Sequence, residues 1–261
     1  MLNVKTDDTS MANTDQGSVT AVETAAPTSH DLWKTWRENL LLFCFTGVYV
    51  ELCLHLCVFR SLDRCAGYLI LFGLLGGALC TLLTSCLPKI LRQITGLFLI
   101  AAQVLLAEMQ LVYHCIFGDF MPVSQIGMGG NVIVNFNSQL LYGIRQNLLK
   151  ILLLLLPLIV VILCLALRWV QALKLRLRWK QALASFAVLL ALLLTVTGLM
   201  YAGRNKAFSV YHTFTNVDTS TDSSYKKIGM LATTAQELRY MLFGGSGSIM
   251  ITPSSLNISD V

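Results

Sequence analysis

Five long apolar stretches constrain the fold of this chain more than any other feature. They cover residues 39–59, 67–87, 94–117, 148–167 and 182–202. A bilayer core about 30 Å thick is crossed by ~20 mostly apolar residues wound as an α-helix, because no water is present there to satisfy exposed backbone groups. The sequence therefore predicts an all-α, polytopic membrane helix bundle with five transmembrane helices.

The composition agrees with a membrane protein and excludes several other classes. Of the 261 residues, 55% are hydrophobic and only 13% are charged, which excludes a disordered chain and an ordinary soluble domain. No small-residue cleavage pattern follows the first apolar stretch, so we interpret it as a retained span and not as a signal peptide. The net charge of +5 is modest and is explained by basic loops beside the spans, so we expect no nucleic-acid partner.

The polar segments divide the chain into four parts. Residues 1–31 are rich in Thr, Ser, Asp and Ala and have no apolar period, so we expect a disordered cytoplasmic tail. We expect residues 32–203 to form the membrane domain, residues 204–243 an extracellular linker with an amphipathic helix, and residues 244–261 a flexible tail. The loop at 118–147 is too apolar for a solvated linker and predicts a short helix along the outer interface, with an ordinary packed loop as the alternative.

The extracellular linker carries its own helical pattern. Apolar residues recur there at three- and four-residue steps: Ile228, Leu231, Ala235, Leu238 and Leu242. This spacing predicts a helix with one apolar face, on the outer membrane surface or against a partner domain. Thr234 and Glu237 have the spacing of a capping box, which indicates a helix start at that point.

The basic residues determine the expected orientation. The connection from residue 168 to residue 180 packs five cations into a short loop, and the positive-inside rule places such a loop in the cytoplasm. Five crossings then leave the N-terminus in the cytoplasm and the C-terminal segment outside the cell. We therefore expect a multi-pass protein of the plasma membrane.

Polar side chains inside the first and third spans are the candidate site residues. They are Glu51, His55, Gln103, Glu108, Gln110 and His114. Ionisable groups are costly in hydrocarbon and usually face the interior of a bundle. Two interpretations stay open: a polar groove, open outward, that binds a lipid head group, or a set of internal hydrogen bonds that fixes the register of the helices.

Small residues in the second span predict close helix packing. Gly73 and Gly77 form a Gly-x-x-x-Gly motif, which lets helix backbones approach each other. We expect packing within the bundle, with self-dimerisation as the alternative. The eight cysteines lie in or beside the spans, and we expect them to act as small packing residues and not as disulfides.

The sequence offers no catalytic signature. It contains no Gly-x-Ser-x-Gly, no His-Glu-x-x-His and no glycine-rich phosphate loop. Cys53, His55 and Cys57 alternate along the first span, which points their side chains to separate sides of a helix, so we expect no metal site there.

Three features of the chain resemble the membrane half of the lipoteichoic acid synthase family, in the alkaline phosphatase/sulfatase superfamily. The first is the stretch 110–120, which closes the third span, and the second is the five-span layout with a basic fourth loop. The third is the stretch 225–239, which is similar to the linker helix that leads to the extracellular enzyme domain of that family. The likeness covers roughly residues 35–243.

The resemblance implies a function that this chain would serve as one part. Family members cleave phosphatidylglycerol outside the cell and transfer glycerol phosphate to a growing polymer, through a threonine nucleophile beside a divalent metal, usually manganese. Those residues belong to the domain after the linker, so no catalytic residue, metal ligand or cofactor is assigned to a position of this chain. We expect a truncated form, fragment or membrane domain that anchors such a transferase in a Gram-positive bacterium, and that presents phosphatidylglycerol to a sulfatase-like extracellular domain.

Two other functions stay open. One is a small membrane lipid carrier or channel that works alone, which the intramembrane Glu and His residues support. The other is the anchor of a phosphoethanolamine transferase, which also combines several spans with an extracellular metal-dependent domain.

Overall fold

The described part of the chain is a helical bundle with one short 3-10 helix. The computed structural model describes residues 29–62, 65–128, 137–166, 179–205, 209–215 and 221–243. The α-helices there are α1 (Ser29–Phe59), α2 (Ala66–Ser85), α3 (Lys89–Phe117), α4 (Asn137–Gln146), α5 (Leu148–Ala166), α6 (Trp179–Ala202), α7 (Val210–Thr215) and α8 (Thr221–Phe243). The 3-10 helix covers Val123–Met128. Over these ranges the structure has no β-strand.

Five of these helices are long and apolar enough to cross a membrane, namely α1, α2, α3, α5 and α6. This confirms the predicted all-α membrane bundle and indicates a multi-pass membrane protein. The largest difference from the predicted bounds is at α1, which begins at Ser29, ten residues before the predicted span. The added turns are amphipathic, since Leu32 and Thr35 are buried while Trp33 and Lys34 are exposed, so the helix continues beyond its apolar stretch.

The alternation of five crossings determines which helix ends share a side of the bundle. The ends of α1 and α3 and the starts of α2 and α5 lie on the side that also carries α4, α7 and α8. We call this the α8 side, and the opposite one the Ser29 side. Most of the predicted N-terminal tail (1–31), most of the predicted basic loop (168–180) and the whole predicted C-terminal tail (244–261) lie outside the described residues. The described remainder of the first two, residues 29–31 and 179–180, is helical, in α1 and α6, which corrects the predicted tail boundary.

Three glycines allow α1 and α2 to lie in backbone contact. A Cβ atom added to Gly77 would lie 2.5 Å from the Cα atom of Cys44. A Cβ atom at Gly73 would lie 2.9 Å from the Cα atom of Val48, and one at Gly47 only 2.5 Å from the carbonyl oxygen of Gly73. Since only hydrogen fits at these positions, the small residues set the distance between the two helices. The structure thus places the predicted glycine pair at a contact inside the bundle.

On the Ser29 side, side-chain hydrogen bonds join α1, α2 and α6. The Trp36 indole donates to the Ser185 hydroxyl over 2.8 Å, and the Ser185 hydroxyl lies 3.4 Å from that of Ser85. The Asn39 amide donates to the Thr84 hydroxyl over 3.1 Å. In a low-dielectric interior a polar group is costly unless it is paired, so these contacts favour one arrangement of the three helices.

The core of the bundle includes α8, which is a correction to the prediction of a surface helix. Its Ile228 and Met230 are almost fully buried against neighbours from α1, α2 and α3. The predicted apolar face holds only for its first part, because Ala235, Leu238 and Leu242 are exposed. A kink inside α8 changes the face that the second half presents to the bundle.

The predicted start of α8 is also wrong. Thr234 and Glu237 lie well inside the helix, which begins at Thr221 and has a non-helical residue at Gly229. The helix thus begins seven residues before Ile228, the first residue of the predicted apolar repeat. The short helix predicted for the loop after the third span is present as α4, which packs against α3.

We expect Gly77→Val to destabilise the bundle, because the new side chain would meet the backbone of α1. Overpacking of this kind costs about 1–3 kcal/mol. The measurement is the melting temperature of the purified protein in detergent. Gly198→Val on α6 is the matched control, since no heavy atom lies within 4 Å of a Cβ at that position. Equal melting temperatures for the two variants would contradict a tight α1–α2 contact.

Candidate functional site

The centre of the candidate site is the buried carboxyl group of Glu51 on α1. Its side chain is only 1% exposed. One carboxyl oxygen accepts the backbone N–H of Met230 over 2.9 Å, and the other accepts the backbone N–H of Leu231 over 2.6 Å. We call this arrangement of Glu51, Gly229, Met230 and Leu231 the Glu51 cap, because it satisfies the free N–H groups at the start of a helical segment.

Gly229 creates the helix start that Glu51 caps. Its φ of 83° and ψ of 177° interrupt α8 and leave the following N–H groups without helical acceptors. A Cβ atom at this residue would lie 2.6 Å from a Glu51 carboxyl oxygen. Glycine is therefore required twice, for its backbone conformation and for the close approach of the carboxyl group.

Aromatic packing surrounds the first half of α8. The rings of Phe120 and Tyr225 stack with centroids 3.9 Å apart and planes 2° apart. Phe59 and His114 lie against other parts of the Phe120 ring, at 6.0 Å and 4.8 Å. Burial in this cluster raises the pKa of Tyr225 above its ordinary value, because the apolar surroundings disfavour the charged form.

Gln110 and His114 hold segments of the α8 side together. The Gln110 amide both donates to the Met121 carbonyl and accepts the Met121 N–H, each over 2.9 Å. The Nε2 atom of His114 lies 3.5 Å from an Asp222 carboxyl oxygen at the start of α8. These two residues therefore connect the end of α3 to the loop that follows it and to α8.

The remaining candidates occupy separate places. His55 is buried one turn from Glu51, with its ring 4.8 Å from that of Phe59. Gln103 lies beside the α1–α2 contact, near Gly47. Glu108 lines an apolar groove of about 360 Å³, which none of the residues of the Glu51 cap lines. One of its carboxyl oxygens is shielded from solvent and has no hydrogen-bond partner within the described residues. The six predicted residues thus do not form one cluster.

α8 makes a further contact, which the sequence did not indicate, through its own residue Glu237. Its carboxyl group accepts the backbone N–H of Val123, at the start of the 3-10 helix, over 2.6 Å. Burial raises the pKa of Glu237, and the Val123 hydrogen bond lowers it by a smaller amount. The loop after α3 is therefore held at two residues, at Met121 by Gln110 and at Val123 by Glu237.

The arrangement is suited to holding helices in place. In the part of the chain that the structure describes, no group of three or more His, Cys, Asp or Glu residues could hold a metal ion. The divalent metal that the family resemblance implies was expected in a separate enzyme domain, and the described residues of this chain offer no ligand set for it. All eight cysteines have free thiols, and Cys53 and Cys57 pack against the core.

Comparison with protein-family models, with curated proteins and with solved structures finds no match for this chain.

We expect Glu51→Ala to release the second half of α8 from the bundle. The change leaves two buried N–H groups without acceptors, at a cost of about 1–3 kcal/mol for each. Glu51→Gln retains one carbonyl acceptor and should have a smaller effect. The measurement is hydrogen–deuterium exchange at the Met230 and Leu231 amides, which should become faster in both variants. Glu38→Gln, a half-buried position on the same helix, is the control and should leave both rates unchanged.

Gly229→Ala should weaken the same contact from the opposite side, because the methyl group would meet the Glu51 carboxyl. In the double variant with Glu51→Ala, the loss of stability should be smaller than the sum of the single losses, since both changes break one contact. Additive losses in melting temperature would show that the two residues act separately.

We expect the contribution of Glu237 to stability to fall as pH rises. The pKa of this carboxyl group is 4.5 in the unfolded chain and higher in the folded protein. The folded protein therefore binds the proton more tightly. The contribution is therefore complete below pH 4.5 and is lost as the pH rises through the folded pKa. The measurement is the melting temperature of the wild type minus that of Glu237→Gln across a pH series. A difference that grows with pH would contradict this sign.

Proposed function

We propose that this chain is the membrane anchor domain of a lipoteichoic-acid-synthase-like phosphoglycerol transferase, with its N-terminus in the cytoplasm and α8 outside the cell. The observation that supports the proposal most is the Glu51 cap. It binds the segment after the last span to the first span through two buried hydrogen bonds. An anchor needs such a connection if it is to hold an attached module in a defined position.

The requirement follows from the substrate. A phospholipid head group stays at the membrane surface, so an enzyme that attacks it gains rate when its reactive groups are held at one height and orientation. A helix tethered only by a flexible linker would sample many orientations. Two contacts hold α8 in place. Glu51 accepts N–H groups in the middle of α8, and Glu237, in its second half, accepts the N–H of Val123. Together they favour a fixed exit direction.

The proposal assigns the chemistry to a separate extracellular, sulfatase-like domain that carries the threonine nucleophile and the manganese-type metal. Phosphatidylglycerol and other membrane lipids are the small-molecule partners of the anchor. Reading the coding sequence beyond Val261 is the direct test. A sulfatase-like domain in the same frame or in a neighbouring gene is expected, and its absence from both would overturn the assignment.

The orientation has its own test by reporter fusion. We expect a fusion after Phe243 to be active when the reporter is alkaline phosphatase, which works outside the cytoplasm, and inactive when it is green fluorescent protein. A fusion after Leu87, on the Ser29 side between α2 and α3, should give the opposite result, because three crossings (α3, α5 and α6), an odd number, separate the two positions. A cytoplasmic reporter after Phe243 would exclude the anchor proposal.

A lipid carrier that works alone is the second candidate. It is favoured by the groove beside Glu108, where a shielded carboxyl oxygen has no partner within the described residues. Transfer of labelled phospholipid between liposomes by the isolated chain would favour this function. Transfer of labelled glycerol phosphate by the complete transferase would favour the proposed anchor. Transfer of phosphoethanolamine would instead favour the anchor of a phosphoethanolamine transferase.

A further inference from the structure

A basic pocket opens on the α8 side, away from the Glu51 cap. It has a volume of about 570 Å³ and lies between the end of α1, α3, α4 and the start of α5. Arg60 and Lys150 supply two positive charges to its wall, and Tyr142, Gln146 and Asn147 supply hydroxyl and amide groups. No acidic side chain is present among the described residues that line it. The pocket is therefore complementary to an anion with several oxygen acceptors.

The backbone at Arg60 is unusual for a residue with a side chain. Its φ of 54° lies in the left-handed region, and its N–H donates to the Leu56 carbonyl over 3.1 Å to close α1. Glycine or asparagine is the usual residue at such a helix end, because a Cβ atom is unfavourable there. Arginine at this position adds a cation to the pocket, although glycine would adopt this backbone conformation more easily.

The apolar groove that contains Glu108 lies directly beside this pocket. Ile116 on α3 lines both cavities. On α4, Gly143 lines the pocket and the next residue, Ile144, lines the groove; on α5, the neighbours Lys150 and Ile151 divide in the same way. A charged site and an apolar site are therefore adjacent, as the two parts of a phospholipid are.

The carboxyl group of Glu108 does not oppose an anion in the basic pocket. Glu108 precedes Ile116 by eight residues on α3, which corresponds to about 12 Å along the helix axis. The acidic group thus lies deeper, at the level of the lipid chains, while Arg60 and Lys150 lie at the helix ends, at the level of the head groups.

We propose that the pocket and the groove together bind one anionic phospholipid from the leaflet on the α8 side. Its phosphate lies between Arg60 and Lys150, and an acyl chain lies against Ile144 and Ile151. A phospholipid is preferred over free phosphate because the basic pocket lies beside a groove with an almost wholly apolar lining. The inference does not depend on the anchor role, since a lipid carrier or channel could use the same site.

The test is native mass spectrometry of the full chain in detergent, titrated with phosphatidylglycerol, phosphatidylcholine and inorganic phosphate. We expect the wild type to prefer phosphatidylglycerol over phosphatidylcholine. The double variant Arg60→Gln/Lys150→Gln should lose about tenfold in affinity for phosphatidylglycerol and most of that preference, because two cations near the phosphate are removed. Arg145→Gln is the matched control, since Arg145 is exposed on α4 and lines neither cavity.

A second variant examines the groove without changing the charge. Ile144→Trp fills the groove and should weaken binding of both phospholipids while the preference for the anionic one remains. Equal affinity of the wild type for inorganic phosphate and phosphatidylglycerol would overturn the lipid assignment. An equal loss in Arg145→Gln and in the double variant would also overturn the proposal, because it would show general surface attraction and no specific site.

Discussion

The structure depends on the mutual satisfaction of two polar features that would each be costly alone in an apolar bundle. One is the carboxyl group of Glu51, buried in the middle of a membrane-spanning helix. The other is the start of a helical segment after Gly229, where backbone N–H groups have no helical acceptor. The two features lie against each other, so the two carboxyl oxygens accept two N–H groups. Neither feature remains unpaired. The position of α8 therefore depends on this contact together with the apolar packing of Ile228 and Met230.

The glycine contact between α1 and α2 makes that position possible. Because Gly47, Gly73 and Gly77 bring the two helices into backbone contact, α8 can lie against both at once. Gly76 on α2 continues this surface, since a Cβ atom there would lie 2.8 Å from the Leu231 side chain. Loss of the close α1–α2 packing would thus also move the surface on which the Glu51 cap is built.

The sequence predicted the five spans because length and hydropathy are local properties that the bilayer imposes on each helix separately. It did not predict the Glu51 cap, because the bonded residues are 179 and 180 positions apart and no local pattern joins them. The capping-box spacing of Thr234 and Glu237 was misleading for the same reason. Glu237 instead accepts a hydrogen bond from Val123, 114 residues away. A glycine within an otherwise helical pattern, at Gly229, was the one available signal of a break.

The intramembrane polar residues have different surroundings in the structure, and the two interpretations meet different residues. Glu51 and Gln110 direct their polar atoms at backbone groups inside the chain, which is the structural interpretation. Glu108 lines an apolar groove beside a pocket with two cations, which are surroundings that the lipid interpretation expects. Glu51 and Glu108 are the same residue type at a similar depth in the membrane, so sequence position alone could not distinguish their roles. The two carboxyl groups differ in what surrounds them. α8 offers free N–H groups to Glu51, whereas the groove walls offer Glu108 only side chains of low polarity.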